Sequence, residues 1–293
     1  MILVTGSTGK TGRAVLQALL AKGETVRALV HRPEQIPLIT SMGVQDVLVG
    51  EMRNLLDMVR ACEGIRCVYH ICPNVSPDEE SIGQTVIAAA QSARVEHFVF
   101  HSVLHPQTEG MPHHWKKLRI EEQLIQSGLP FTILQPAVYM QNILAHWETI
   151  CDQGIYPIPY PAETRLSFVD LADVAQAAAI VMTEPGHQNA TYELAGTYEL
   201  SQTEVARTLS QGLNRPVNIQ VIPLSEWEAQ ARARSLGEYQ IEALSRMFRF
   251  YEQYGLSGNP KVLDWLLQHP PSSLDIFIER TIRQSLQTVD IGW

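Results

Sequence analysis

The 293 residues are 45% hydrophobic and 18% charged, enough apolar material for a large core, which excludes a disordered chain. The formal net charge is -9, and Lys10, Lys22, Lys116, Lys117 and Lys261 form no basic run, so a nucleic-acid partner is not expected. No apolar stretch approaches the ~20 residues that cross a bilayer, and residues 1–5 run into a glycine turn with no room for an export leader; the expectation is a cytoplasmic chain off the membrane.

Apolar runs of strand length recur at residues 1–5, 25–30, 44–49, 67–71, 97–101 and 131–134. Helical patterns lie between them at 11–21, 55–62, 79–93 and 115–126, with a short one after Pro136. Strands alternating with helices predict an α/β fold, a doubly wound parallel sheet whose ligands sit at the carboxyl ends of the strands. Residues 151–162, rich in Pro and Tyr, read as an irregular segment leaving the sheet. Beyond it come a strand at 166–169, a helix at 174–182 begun by Asp170 or Asp173, and a strand at 192–194. Ser201 with Glu204 and Ser225 with Glu228 have the spacing of capping boxes, and 226–269 is mostly helical. The expected organisation is a Rossmann domain over 1–150, completed by 163–195, with 151–162 and 196–293 forming a smaller helix-rich substrate region. Cys62, Cys67, Cys72 and Cys151 show no C-x-x-C pair, so neither a disulfide nor a metal site is expected.

Gly6-Ser7-Thr8-Gly9-Lys10-Thr11-Gly12 follows the first strand and opens the first helix, the context in which glycines let a backbone approach a pyrophosphate and helix amides face it. Gly9-Lys10-Thr11 imitates the end of a Walker loop, but Val4 stands where that motif needs glycine. At the end of the second strand the chain has His31-Arg32 and no carboxylate to take the ribose 2'-hydroxyl of NAD. Arg32, with Arg13 after the third glycine, suits a 2'-phosphate, so NADP(H) is expected over NAD(H). Other strand ends supply Glu51 for the adenine amine, Cys72 and Pro73 beside the adenosine ribose, His101 at the fifth strand, and Pro136 and Ala137 along the nicotinamide. Tyr139, Asn142 and Trp147 follow as candidate substrate contacts.

The glycine turn, the segment 98–105, Lys117-Leu118-Arg119-Ile120-Glu121-Glu122, Phe131-Thr132-Ile133-Leu134-Gln135-Pro136 and Trp265-Leu266-Leu267 followed by Pro270-Pro271 together resemble the NmrA-like family of atypical short-chain dehydrogenases. The resemblance spans nearly the whole chain and implies NADP binding in an extended Rossmann arrangement. It implies either an NADPH-dependent reductase of a carbonyl, quinone or imine-like small molecule, or a dinucleotide sensor that binds a protein partner without turnover. A monomer or homodimer is expected. Typical short-chain dehydrogenases carry Tyr four residues before Lys; here His113 precedes Lys117 by four, so the pair shares a helix face. The resemblance casts Lys117 as holder of the ribose, His113 as proton relay and Ser102 as the hydroxyl on the substrate carbonyl. It departs at Gln135, where the family often has Arg.

Overall fold

The computed structural model describes residues 1–73 and 75–289, the last four of these by backbone alone. Two compact units divide the chain: Met1–Pro136 with Val174–Glu193, and Ala137–Asp173 with the residues from Leu194 on. The chain begins β1 (Ile2–Val4), α1 (Lys10–Ala21), β2 (Val26–Val30), α2 (Ile36–Thr40), β3 (Asp46–Val49), α3 (Leu55–Cys62), β4 (Cys67–His70), α4 (Glu79–Ser92), β5 (His97–His101), α5 (Pro112–Gln126) and β6 (Phe131–Pro136). It continues through β7 (Val138–Tyr139), a 3-10 helix Met140–His146, α6 (Trp147–Gln153), β8 (Ile155–Ile158), β9 (Arg165–Leu166) and β10 (Phe168–Val169). α7 (Leu171–Thr183) and β11 (Ala190–Leu194) come next, then β12 (Leu200–Ser201), α8 (Gln202–Leu213), β13 (Asn218–Val221), α9 (Leu224–Ala233), α10 (Glu238–Tyr254), α11 (Lys261–Leu267) and α12 (Leu274–Val289).

The first unit carries a seven-stranded sheet in the order β11-β6-β5-β4-β1-β2-β3. β1 pairs in parallel with both β2 (Leu3 opposite Arg27) and β4 (Leu3 opposite Val68), and β5 with β6 in the same sense. Strands central to such a sheet are covered on both faces, which is why β1, β4 and β5 are buried at every position and read as unbroken runs in the sequence. β3, at the edge, is only half-buried throughout. The strand order turns back between β1 and β4, and the crevice of a doubly wound fold opens at that switch point. α1 buries Val15, Leu16 and Leu19 on one face, the spacing of a helix laid on a sheet. α4 and α5 approach closely because Gly83 leaves room for Ile120: a Cβ at Gly83 would lie 2.8 Å from Ile120 Cγ1. Phe98, Phe100, Ile82 and Ile133 complete that core.

The second unit is mostly helical, with three two-stranded pairings, β10 with β7, β12 with β9 and β13 with β8. α8 packs on α12 at Gly212, where a Cβ would meet Ile278 Cγ2 at 2.6 Å. Two expectations are corrected here. The irregular segment at 151–162 contains the strand β8, parallel to β13 with Tyr156 opposite Ile219. Proline at its centre is tolerated because the two-stranded sheet leaves one edge of β8 unpaired. The Ser225–Glu228 capping box does not form: α9 starts at Leu224 with Pro223 as N-cap, so Ser225 is already helical, and Glu228 Oε1 accepts from Ser245 at 2.9 Å. The Ser201 box forms, Glu204 N–H donating to Ser201 Oγ at 3.2 Å and Ser201 N–H to Glu204 Oε2 at 2.8 Å. A short helical stretch, Pro33–Gln35 followed by α2, has no counterpart in the sequence reading; five residues give too little periodicity to register.

Candidate active site

The glycine turn has a different reason at each glycine. Gly6 sits at φ +58°, a region that glycine enters at little cost. At Gly12 a Cβ would lie 2.2 Å from Gly6 O and 2.7 Å from Ser7 Cα, so α1 can press on its own entry loop only without a side chain there. Gly9 needs neither excuse: its φ is -71°, and a Cβ would meet only Gly6 O at 3.4 Å, an ordinary contact. Gly9 is exposed at the N-terminus of α1, where helix amides ahead of the first turn lack intrahelical acceptors. A single position, Gly9, that neither packing nor conformation requires to be bare fits a close-lying pyrophosphate. Ser7 is buried and its hydroxyl donates to Leu29 O at 2.5 Å, which ties the loop to β2 and leaves its backbone for a ligand. Thr11 is buried as well, while Lys10 and Arg13 are exposed.

The ends of β2 and β3 lie side by side. Gln35 Oε1 accepts from the amides of His31 and Arg32, both at 3.0 Å, and so fixes the turn that presents their exposed side chains. Among the described residues neither Arg13 nor Arg32 is in an ion pair. Glu51 lies 3.1 Å from His31 Nδ1 and 3.6 Å from Arg53, which in turn reaches Asp78 at 2.8 Å. Past β4, Cys72 is buried, with Sγ 3.3 Å from His70 Nε2, and burial pushes its thiol up to about 12; Pro73 is exposed.

Beyond β4 and β5 a polar cluster is sealed into the first unit. Lys117 projects from α5 to Glu79 at the start of α4, Nζ to Oε1 2.5 Å, with Lys117 15% and Glu79 1% exposed. Burial by itself lowers the lysine, but Glu79, with Cys72 and Glu121, outweighs it and holds the ammonium above its ordinary value. His113 is buried in the first turn of the same helix, and its Nδ1 has no hydrogen-bond partner among the described residues. Burial and then the charge of Lys117 bring it down to about 4, so it is a neutral imidazole at pH 7. His101 closes β5 with Nδ1 2.7 Å from Tyr69 Oη, and burial brings it to about 3. Ser102, the next residue, contacts Glu121 Oε1 through its hydroxyl, and Gln135 Nε2 donates to Glu121 Oε1 at 3.0 Å and Oε2 at 3.1 Å. Pro136 ends β6, with its carbonyl accepting from Leu104 N at 2.9 Å.

In the second unit, Ala137 N–H donates to Leu194 O at 3.0 Å, Tyr139 lies on β7, Asn142 is exposed on the 3-10 helix, and Trp147 opens α6 with Nε1 donating to Ser285 Oγ at 3.2 Å.

The model of the NmrA-like family matches residues 1–287. The chain belongs to that family. This NmrA-like chain is 30% identical over 259 residues to the NAD(P)H azoreductase of Xenophilus azovorans, covering 88% of this chain and 90% of that protein. It is 25% identical over 276 residues to quinone oxidoreductase 2 of Escherichia coli, 94% of this chain and 96% of the relative. Among solved structures, the NADPH complex of the NADPH-dependent quinone oxidoreductase from Escherichia coli superposes with a TM-score of 0.84 at 24% identity, over 96% of this chain and 100% of that one, a likeness of fold.

The sequence reading of this family member picked out Lys117, His113 and Ser102 but missed the acids behind them. Glu79 looked like an ordinary first-turn acid of α4, and its pairing with Lys117, 38 residues away, has no local signature. Glu121 lies in the segment 117–122 that carries the family resemblance, which implies no role for it. The signal that pointed to it was Gln135, the departure from the family pattern.

Proposed function

We propose that this protein is an NADPH-dependent reductase of quinone, azo or imine-like acceptors. The observation that carries the reading is the exposed Gly9 at the mouth of α1, which has no Cβ although neither the fold nor the backbone geometry would exclude one. The azoreductase and quinone oxidoreductase relatives, matched over nearly their whole length, support the same chemistry.

In this reading the backbone of residues 6–12 holds the pyrophosphate, Arg13 and Arg32 take the 2'-phosphate, and Glu51 faces the adenine. NADPH, when bound, supplies the hydride. Lys117, fixed in place by Glu79, holds the nicotinamide ribose. Cys72, Pro73, His101 and Pro136 line the cofactor. His113, neutral at pH 7, offers a ring nitrogen to orient the acceptor oxygen or nitrogen. Preference for NADP over NAD follows from two arginines and no carboxylate at the β2 tip.

Stopped-flow loss of NADPH absorbance over a panel of quinones and azo dyes should show turnover, and calorimetry should show NADPH binding at least about 10-fold tighter than NADH. Tight NADPH binding with no oxidation by any acceptor would favour a dinucleotide sensor instead. Equal affinity for the two cofactors would remove the role given to Arg13 and Arg32.

A further inference from the structure

His113, uncharged at pH 7, is a weak proton donor, and a reductase of this kind must still deliver a proton to its acceptor. Glu121 is 6% exposed and no cation pairs with it among the described residues. Lys117, one turn earlier on α5, sends its ammonium to Glu79 of α4 instead. The groups that do face the carboxyl are Ser102, just past β5, and Gln135 from β6, neither of which ionises in the working range, and both are buried as well. Ser102 in turn stands directly past the end of β5, held by its amide to Leu134 O at 2.8 Å, on the side where ligands of this fold sit.

We propose that Glu121 and Ser102 form a buried proton relay, in which Ser102 is the catalytic hydroxyl and Glu121 the positioning residue that recharges it. The proposal rests on the reductase reading. With Glu121 ionised, Ser102 donates to it and offers an acceptor only lone pairs. With Glu121 protonated the bond reverses: the acid donates to Ser102 Oγ, and the serine hydrogen is released toward the ligand. A reduced nicotinamide, when bound, would supply the hydride and its electron pair; the serine proton goes to the reduced oxygen or nitrogen, and the acid proton replaces it on Ser102. A carboxylate remains, to be reprotonated from solvent before the next turnover. Gln135 suits this arrangement, because an amide steadies the carboxyl without the fixed positive charge that would keep it ionised. Burial accordingly raises Glu121 from its ordinary value, although the bonds from Ser102 and Gln135 and the charge of Lys117 oppose the rise.

The test is an infrared titration of protonated carboxyl groups on the whole protein, run beside the pH profile of NADPH oxidation. The wild type should show a carboxyl band that persists above the ordinary glutamate value of 4.5, is missing in Glu121→Gln and is shifted in Ser102→Ala. The turnover rate should fall as pH rises through the same range. In Glu121→Gln it should be about 100-fold lower and flat with pH, with NADPH affinity unchanged. Ser102→Ala, which leaves the acid in place, covers the case in which Glu121→Gln does not fold. A wild type that turns over while Glu121→Gln keeps its rate and pH profile, or that shows no such band, overturns the relay alone. A wild type that oxidises no NADPH with any acceptor overturns the reductase reading, and the relay falls with it.

Discussion

At Gly12 an added methyl would strike backbone atoms at 2.2 and 2.7 Å, whereas at Gly9 it would rest at 3.4 Å from one carbonyl oxygen. The two positions therefore separate folding from binding. Gly12→Ala is expected to lower stability by about 3 kcal/mol, since neither the loop nor the helix can give way without the other. Gly9→Ala should leave the free energy of urea unfolding within about 1 kcal/mol of wild type, because its backbone angles suit any residue. Its NADPH dissociation constant, measured by calorimetry, should still rise by about 10-fold or more. Unchanged affinity in Gly9→Ala would mean that the turn holds no phosphate. Single residues also mark where local reading fails: Lys117 looked like a lysine looking for a ribose, and folding gave it a buried acid as well.

Elements were more legible than pairings between them. β5 occupies the residues its apolar run indicates, and the helix expected at 55–62 is α3, which the structure shows capped by Asn54, whose side chain accepts from Leu56 N at 2.9 Å. Two serines with the same spacing to a glutamate behave differently. Ser201 is a true N-cap, so Ser201→Ala should cost about 1 kcal/mol in chemical denaturation. Ser225 is inside the first turn of α9, and Ser225→Ala should change stability by less than about 0.5 kcal/mol. A cost at Ser225 equal to that at Ser201 would contradict the placement of the helix start. The spacing alone gave no way to choose, because the N-cap of α9 is Pro223, two positions ahead of where a Ser225 cap would stand.

Across the molecule, several histidines are buried uncharged, which has a consequence for stability. Burial brings His70 and His101 to about 3, and His97 and His113 to about 4, from an ordinary 6.5. Below pH 6.5 the unfolded chain takes up protons that the folded chain refuses, so stability is fully present above that value and is lost as pH falls toward the folded values. Each such histidine contributes a slope approaching ~1.4 kcal/mol per pH unit. Urea unfolding at about pH 7 and pH 5 should therefore show a marked drop in midpoint, followed by cooperative acid unfolding. A midpoint that does not move over this interval would mean that these rings titrate normally.

The sequence by itself determined the strand and helix alternation, the glycine turn and the absence of an acid at the β2 tip, because each is written in neighbouring residues or in a short period. Only the tertiary structure decided which polar side chains meet. Glu79 with Lys117, Ser102 with Glu121 and Gln135, and Tyr69 with His101 are separated by 14 to 38 positions, and parallel strand order brings them together. The same holds for their protonation: a histidine's place in the chain says nothing of its water, and the pKa follows the water that folding removes.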